Sequence, residues 1–354
     1  MSSQSLADEV RSEIRRLSSD ASDLRKKVKL SDLRDEIEDL QSDVEGMPQR
    51  IKSLRAQGYV FEADLEDQAI DFEKRWAGIA PSVQQEVERE ARNLERAFRP
   101  LESKITELAG ARGAPAALRP RASRLKSEIE AMEDKVEAAE RSIRGSYDRF
   151  QDEVQKVKSH LSSLEWMLNE FSEASFELLA TEGAVKAVKA VWAKDGKERK
   201  DDPEGVLYLT DQRLLFEQKE KIATKKVLFI ATKKELVQKL LWEVPVALID
   251  EIKARKEGFM NKDDFIEVRF ANGAPFDAVH LHIWESGDAW KVLLRRAKAK
   301  EFDKTRAIAI DEEEAEKVKA APTECPSCGG AINQVVLRGM DSITCEYCGA
   351  VIRL

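Results

Sequence analysis

Several things are scarce in this 354-residue sequence. Glycine and proline number 16 and 10, below the usual shares of about 7% and about 5%. Aromatic residues make up 6% and histidine occurs three times. No cysteine precedes residue 325. No apolar run approaches the ~18 residues of a membrane helix; stretches such as Val227-Leu228-Phe229-Ile230 stop after a handful. The opening, MSSQSLADEVRSEIRR, has no apolar signal-peptide core. These absences disfavour a loop-rich chain, a membrane-spanning chain and a secreted disulfide scaffold. There is no GxxxxGK[ST] phosphate loop, no HExxH and no GxSxG, so the common catalytic constellations are missing and the chain reads as no enzyme. The reading is of a cytoplasmic protein.

Charge, in contrast, is abundant. Asp, Glu, Lys and Arg form 36% of the chain, against about 25% in an average soluble domain. Both signs are mixed, which with few breakers is the composition of long helices. The net charge of −8 speaks against a generally basic nucleic-acid binder.

Residues 1–173 carry that helical composition. Leu6, Val10, Ile14, Leu17, Ala21, Leu24 and Val28 are three or four apart. After a slip the series resumes at Leu30, Leu33, Ile37, Leu40 and Val44. This is the narrow seam of a coiled coil. Gly46-Met47-Pro48 predicts a stop, because proline removes a donor and clashes with the preceding turn. Pro81 predicts a new start after a break at 78–81, with a seam at Val83, Val87, Ala91, Leu94 and Phe98. A turn is expected over 110–120. Beyond it a seam runs from Leu125 through Ile143, Tyr147 and Leu161 to Phe171; a helix over 121–172 would be ~78 Å long. Two apolar positions per heptad need a partner helix. An intramolecular hairpin and a homo-oligomer through the coiled coil both answer that need. His160, beside the seam, reads as a solvated flank.

From about residue 174 the period changes to that of short strands. Strands are expected at 184–193, 206–210, 213–218, 226–231, 240–246, 252–256, 265–270 and 276–283, with 232–239 open to a helical reading. Asp211-Gln212 and Asn272-Gly273 mark tight turns. Glu285 to Lys300 is helical, with Trp290, Leu293, Leu294 and Ala297 on one side. The run GVLYLTDQRLLFEQ (Gly205 to Gln218) and Trp290 on the closing helix resemble GRAM and bacterial PH-like domains over roughly 174–302. The resemblance implies an antiparallel β-sandwich closed by a C-terminal helix. It also implies a docking role toward lipid headgroups, peptides or other domains.

The basic residues Lys186, Lys189, Lys194, Lys197, Arg199 and Lys200 crowd the loop between the first two strands and are candidates for binding an anion or an anionic membrane. Asp195, Glu198, Asp201, Asp202 and Glu204 are interleaved with them, which is also the pattern of a solvated loop. His280 and His282 sit i, i+2 on one strand face with no third ligand in sequence.

All four cysteines lie in two CxxC pairs, Cys325/Cys328 and Cys345/Cys348. Two tight knuckles at that separation match a four-Cys zinc site. The segment resembles a zinc ribbon over 323–354. A segment this short cannot fold on its own core, so one structural Zn2+ would supply the folding energy. Four protein ligands leave no open position for catalysis. Four-Cys ribbons also hold iron, and a pair of disulfides would need an oxidising compartment. Strands are expected at 332–337, 341–344 and 351–354.

The domain reading is therefore 1–173 helical, 174–302 PH/GRAM-like, 303–323 an acidic linker that tethers the tail, and 324–354 a zinc ribbon: a multidomain α + β chain. The function reading is a non-enzymatic adaptor. It self-associates, docks on a protein or peripherally on a membrane, and binds a protein partner through the ribbon. The alternative is a nucleic-acid-associated regulator. Arg338 and Arg353 are the tail's only basic residues and Tyr347 its only aromatic, which is thin for phosphate contact or base stacking.

Overall fold

The computed structural model describes residues 3–227, 230–257 and 262–354, with backbone alone for 3–4, 222–227 and 230–234. Leu228 and Phe229, within the expected strand 226–231, lie outside the described residues. The chain divides into two compact units, one of residues 1–49 and 66–160, the other of 50–65 and 161–354.

The helical unit is built from α1 (Ser3–Lys27), α2 (Ser31–Ala56), α3 (Leu65–Gly110), α4 (Pro115–Arg144) and α5 (Asp148–Ser172), the last of which, like α2, continues into the second unit. Its ion pairs reveal the helix directions. Lys27 meets Glu133, Arg144 meets Glu36 and Lys158 meets Asp43, so α1–α2 and α4–α5 run parallel. Arg75 meets Glu153, Lys104 meets Glu128 and Arg121 meets Glu107, so α3 runs against α4–α5. Three helical rods thus lie side by side, and the predicted seam residues Leu24, Leu33, Val44, Val83, Leu94, Leu125 and Ile129 are buried between them. Trp76 stacks on Phe150 at 5.5 Å, with Phe72 edge-on to the same ring. The seam's need for a partner helix is met within the chain.

The predicted stop at 46–48 and the predicted break and restart at 78–81 are both overridden. Pro48 lies inside α2, and Pro81 and Pro100 lie inside α3. Each costs about 3 kcal/mol as an isolated helix breaker, but Met47, Ile51, Val83 and Val87 around them are buried. Burial of a large apolar side chain contributes about 1.5–3 kcal/mol each, enough to carry the helix through. The real interruptions fall elsewhere. The slip at 28–30 is a turn with Leu30 at φ 54. The expected 121–172 helix breaks at 145–147, and the expected 110–120 turn is confined to 111–114, with Pro115 opening α4.

The second unit centres on a seven-stranded antiparallel sheet: β1 (Ala184–Trp192), β2 (Glu204–Thr210), β3 (Arg213–Val227), β4 (Ile230–Pro245), β5 (Ile249–Glu257), β6 (Asp263–Phe270) and β7 (Ala278–Ile283). The order across it is β4-β3-β2-β1-β7-β6-β5. The helix α6 (Gly287–Lys298) packs on β5 and β6 and buries Trp290, whose Nε1 donates to Glu285 at 3.0 Å. An antiparallel sheet closed by a C-terminal helix is the plan expected of a PH-like domain. Residues 232–239 are strand, not helix: they belong to β4, which pairs with β3 along its whole length.

Segment 59–63 is built into the same unit. Phe61 contacts Phe302 at 5.6 Å, and the Ala307 N–H donates to the Val60 carbonyl at 2.8 Å. A short helix α7 (Glu312–Ala320) precedes the tail, whose strands are β8 (Ser342–Thr344) and β9 (Val351–Arg353). Among the described residues no helix is long and apolar enough to cross a membrane.

Candidate metal centre and its seat on the sheet

The two cysteine knuckles are copies of one another. The Cys325 N–H donates to the Gly330 carbonyl and the Gly329 N–H returns to Cys325, both at 2.8 Å. Cys345, Ala350 and Gly349 repeat the pattern at 2.9 Å. Gly329 and Gly349 hold φ of 70° and 71°, a left-handed turn that side chains with a Cβ resist. Cys325 and Cys345 face a small core of Ile343 and Ile352, while Cys328 and Cys348 are exposed.

The four sulfurs all lie within 4.8 Å of one another. Cys325 and Cys348 are 3.7 Å apart, as are Cys328 and Cys345. Four thiolates at about 2.3 Å from a tetrahedral zinc would stand about 3.8 Å from each other. A disulfide would need about 2.05 Å, so the cysteines are free thiols arranged for a cation. Burial opposes ionisation of Cys325, yet the Ser327 and Cys328 N–H groups and the thiols of Cys345 and Cys328 bring it down to about 6. Cys328 is pushed up to about 12: the Gly330 N–H favours its thiolate, but the crowd of neighbouring thiols outweighs it. Only a cation lets all four ionise together.

The expected strand at 332–337 does not form. Ile332 and Val336 pack against the small core, and the chain between them and Met340 reaches instead to the turn between β2 and β3. There the Arg338 N–H donates to Gln212 Oε1 at 2.7 Å, and Gln212 Nε2 donates back to the Arg338 carbonyl at 3.1 Å. The Arg338 guanidinium donates to Asp211 Oδ2 at 2.5 Å and to Asp303 Oδ2 at 3.1 Å. Asp211, 3% exposed at its side chain, also accepts from Arg306 at 2.8 Å and from the Gly183 N–H at 2.9 Å. Gly339, at φ 81°, fits so closely that a Cβ there would meet the Ala180 carbonyl oxygen at 2.3 Å. Its N–H donates to Glu314 of α7.

One residue further on, Arg213 forms a fork with Glu182 at 2.9 and 2.6 Å and reaches Glu243 at 2.5 Å. Thr210 Oγ1 accepts from the Gln212 and Arg213 N–H groups. The polar core of LYLTDQRLLF is thus a socket, and Arg338 is its plug. The expected tether is replaced by contact: Asp303 and Arg306 of the linker enter the same network.

The predicted basic residues are spread over β1 and the loop that follows it. Lys186 lies in β1 and pairs with Glu285 at 2.9 Å. Lys189 is exposed on β1, and Lys194 sits over the Trp192 ring at 5.3 Å. Lys197, Arg199 and Lys200 are exposed in the following loop, where Arg199 pairs with Asp195 at 2.7 Å. His282 is stacked between Phe265 and Trp284 and bonded through Nδ1 to Glu198 at 2.6 Å. His280 lies 3.9 Å from Glu267. Only His282 is hydrogen-bonded to a carboxylate; among the described residues the buried His280 Nδ1 makes no hydrogen bond, and His160 is exposed.

Sequence reading missed Asp211, Gln212, Arg213, Arg306 and Arg338. The signal was present in two places: three polar residues between the most apolar strands, and an Arg-Gly pair between the knuckles.

No family model matches the chain, and no curated protein matches it. Among solved structures, similarity is found to the DH/PH domains of PDZ-RhoGEF in complex with GTP-gamma-S activated RhoA, at 10% identity over 84% of this chain and 94% of that one, TM-score 0.25. It is also found to the linker-DH/PH domains of p115-RhoGEF, at 14% identity over 84% and 98%, TM-score 0.23. A DH/PH fragment of PDZ-RhoGEF with human RhoA gives 12% over 82% and 94%, TM-score 0.25. Scores of that size leave the PH-like assignment resting on the strand order and the closing helix.

Proposed function

We propose that the chain is a non-enzymatic adaptor, cytoplasmic and able to act at a membrane periphery, in which the PH-like sheet and a zinc ribbon work as one docking unit. The observation that carries this reading is the ribbon itself. Its four thiols form a closed donor set, and its Arg338 is seated in the socket of the sheet. Cys325, Cys328, Cys345 and Cys348 would hold one Zn2+, which supplies folding energy to the ribbon and no chemistry. A surface made jointly by ribbon and sheet would receive a protein partner. Self-association stays part of the reading, although among the described residues the helical seam is largely covered within the chain. The nucleic-acid alternative loses half of the tail's thin basic content, because Arg338 is spent on Asp211 and Asp303.

X-ray absorption spectroscopy of the purified chain, with elemental analysis, tests the reading. One zinc per chain with four sulfur neighbours at about 2.3 Å is expected. An oxygen or nitrogen in the first shell would mean an open, catalytic metal. Iron in place of zinc would overturn the assignment of the ion.

A further inference from the structure

The helical unit does not keep three rods along its whole length. Arg25 of α1 meets Glu102 of α3, and α3 ends eight residues further on at Gly110, level with about residue 17 of α1 at equal rise per residue. Lys27 meets Glu133 of α4, so α4 opens at Pro115 level with about residue 9. Beyond the end of α3, α1 continues for about 20 Å to Ser3, with α4 and the 111–114 turn beside it. The stretch from Gly110 to Ala117 carries no apolar side chain larger than that of proline, so no bulky side chain of the turn takes the place of the third rod. The result is an open groove of about 800 Å³ between Val10 and Ile14 of α1, Leu108 of α3 and Leu118 of α4. Val10 and Leu108 are its buried floor, and Ile14 and Leu118 are half-buried.

The rim of this groove is basic. Residues 108–127 hold Arg112, Arg119, Arg121, Arg124 and Lys126 and no acid, in a chain whose net charge is −8. Arg11, Arg15 and Arg112 line the groove, against one acid, Asp8. Arg11 and Arg15 are four residues apart and share a helix face. All three arginines are exposed, and among the described residues none of them has an ion-pair or hydrogen-bond partner. Elsewhere on the rods such residues are tied to acids, as Arg75 is to Glu153 and Arg144 to Glu36. Arg121, outside the groove, is paired with Glu107 at 2.8 Å. The groove arginines stand apart from the pairing that knits the rods.

We propose that this groove receives an acidic amphipathic helix of a protein partner, laid beside α1 and α4 in the line that α3 leaves at Gly110. A helix with apolar residues at i, i+3, i+4 and i+7 presents the stripe that a groove between helices takes. Its apolar side chains would meet Ile14 and Leu118. Its carboxylates would meet Arg11, Arg15 and Arg112, whose guanidinium forks match the two oxygens of a carboxylate. A polynucleotide would use the arginines and leave the apolar floor in water, and the same groove of a second copy would set like charge against like. The site belongs to the helical unit and is separate from the surface made by ribbon and sheet.

The test pans a phage-displayed library of random peptides, about 16 residues long to give the four or so turns of such a helix, on the full-length, zinc-loaded chain, with R11Q/R15Q/R112Q as the counter-target. The three arginines are exposed and unpaired, so this variant should keep the melting temperature and helical signal of the wild type. Peptides retained by the wild type and not by the variant should be rich in Asp and Glu, with apolar residues three and four apart. Read by fluorescence anisotropy, their affinity should fall as salt rises from about 0.1 to about 1 M and the screening length shrinks from about 10 to about 3 Å. An exposed arginine–carboxylate contact contributes up to about fivefold, so the triple variant should bind a selected peptide about tenfold to a hundredfold more weakly. R121Q should bind it like the wild type. Replacing the peptide's apolar residues by serine should abolish binding, which a purely electrostatic patch would not show. The bound peptide should slow hydrogen exchange in residues 6–16 and 108–118.

Recovery of no peptide that tells the wild type from the variant would overturn the proposal. So would selected peptides without acidic residues, or binding of single-stranded DNA through the same arginines with no binding of peptide. Cys325→Ser with Cys328→Ser should leave peptide binding unchanged. Binding lost with the metal would put the peptide on the ribbon–sheet surface and overturn the groove, while failure of the groove would leave the adaptor reading to be decided by the metal's coordination.

Discussion

Replacing Arg338 by Ala removes the plug from the socket and leaves the metal site untouched. Three charge-assisted hydrogen bonds disappear, to Asp211 at 2.5 Å and to Asp303 at 3.1 and 3.4 Å. Such bonds contribute about 1.5–3 kcal/mol each when well hidden from water. Asp303, 27% exposed, recovers part of its loss by hydration. Asp211 keeps Arg306 and the Gly183 N–H, so it is not stranded as a bare buried charge. A net loss of about 3 kcal/mol follows, roughly a hundredfold in the ratio of docked to undocked ribbon. The two backbone bonds between residue 338 and Gln212 are not removed directly. Hydrogen exchange read by mass spectrometry resolves the outcome. Amides at 338–339 should exchange about a hundredfold faster, whereas the knuckle amides of Gly329 and Gly349 should keep their protection because zinc holds them. Arg338→Lys should give an intermediate result, since it keeps the charge and loses the fork. Unchanged exchange at 338–339 would refute the clamp. Knuckles exchanging as fast as the clamp would show that docking and metal binding are one event.

Three further outcomes are expected. Cys325→Ser with Cys328→Ser should abolish zinc binding and unfold residues 324–354 while leaving the far-UV helical signal intact; retention of zinc on elemental analysis would count against the site. Leu33→Ala, at a fully buried seam position, should cost about 2–5 kcal/mol and lower the melting temperature without changing the mass in solution; a mass change would mean that the seam is shared between copies. The Lys219 ammonium beside Glu173 holds that carboxyl below its ordinary value of 4.5. The folded state thus releases its proton more readily than the unfolded chain, so the pair's contribution is present above about 4.5 and fades as pH falls through the lower folded value. An NMR titration of the Glu173 carboxyl with its midpoint at or above 4.5 would contradict the pairing.

The parts of this chain legible in sequence are those where one local rule decides. The seams were readable because every third or fourth residue is apolar, and the knuckles because CxxC spacing has few other uses. The strands around Leu207 and Leu215 and the helix bearing Trp290 followed from their own periodicity. The failures came where tertiary packing outvotes a local preference. Pro48 reads as a stop and Pro81 as a start, yet buried neighbours on either side carry both helices past them. The 332–337 segment has β-branched residues, but Val336 is more useful as cover for the small core than as a ladder residue. The docking socket was invisible for another reason. Asp211, Arg306 and Arg338 are 95 and 127 positions apart from the first to the others, and charge pairing at that separation has no sequence period.

That socket changes what the hairpin motif means. A strand–turn–strand with LYLTDQRLLF needs only a tight turn between its apolar strands, and many polar residues would serve there. This chain places Thr, Asp, Gln and Arg, and every one of them is buried and bonded beyond the turn. Thr210 and Arg213 engage Glu182, Asp211 gathers two arginines, and Gln212 holds the backbone of Arg338. Buried ionic groups are costly unless fully paired, so a turn this polar folds well only when residues 303–306 and 338–339 are in place. The linker and the ribbon are therefore structural parts of the sheet unit. Loss of the metal would then unfold the knuckles and also leave Asp211 and Gln212 short of partners, so metal occupancy would be felt at the β2–β3 turn.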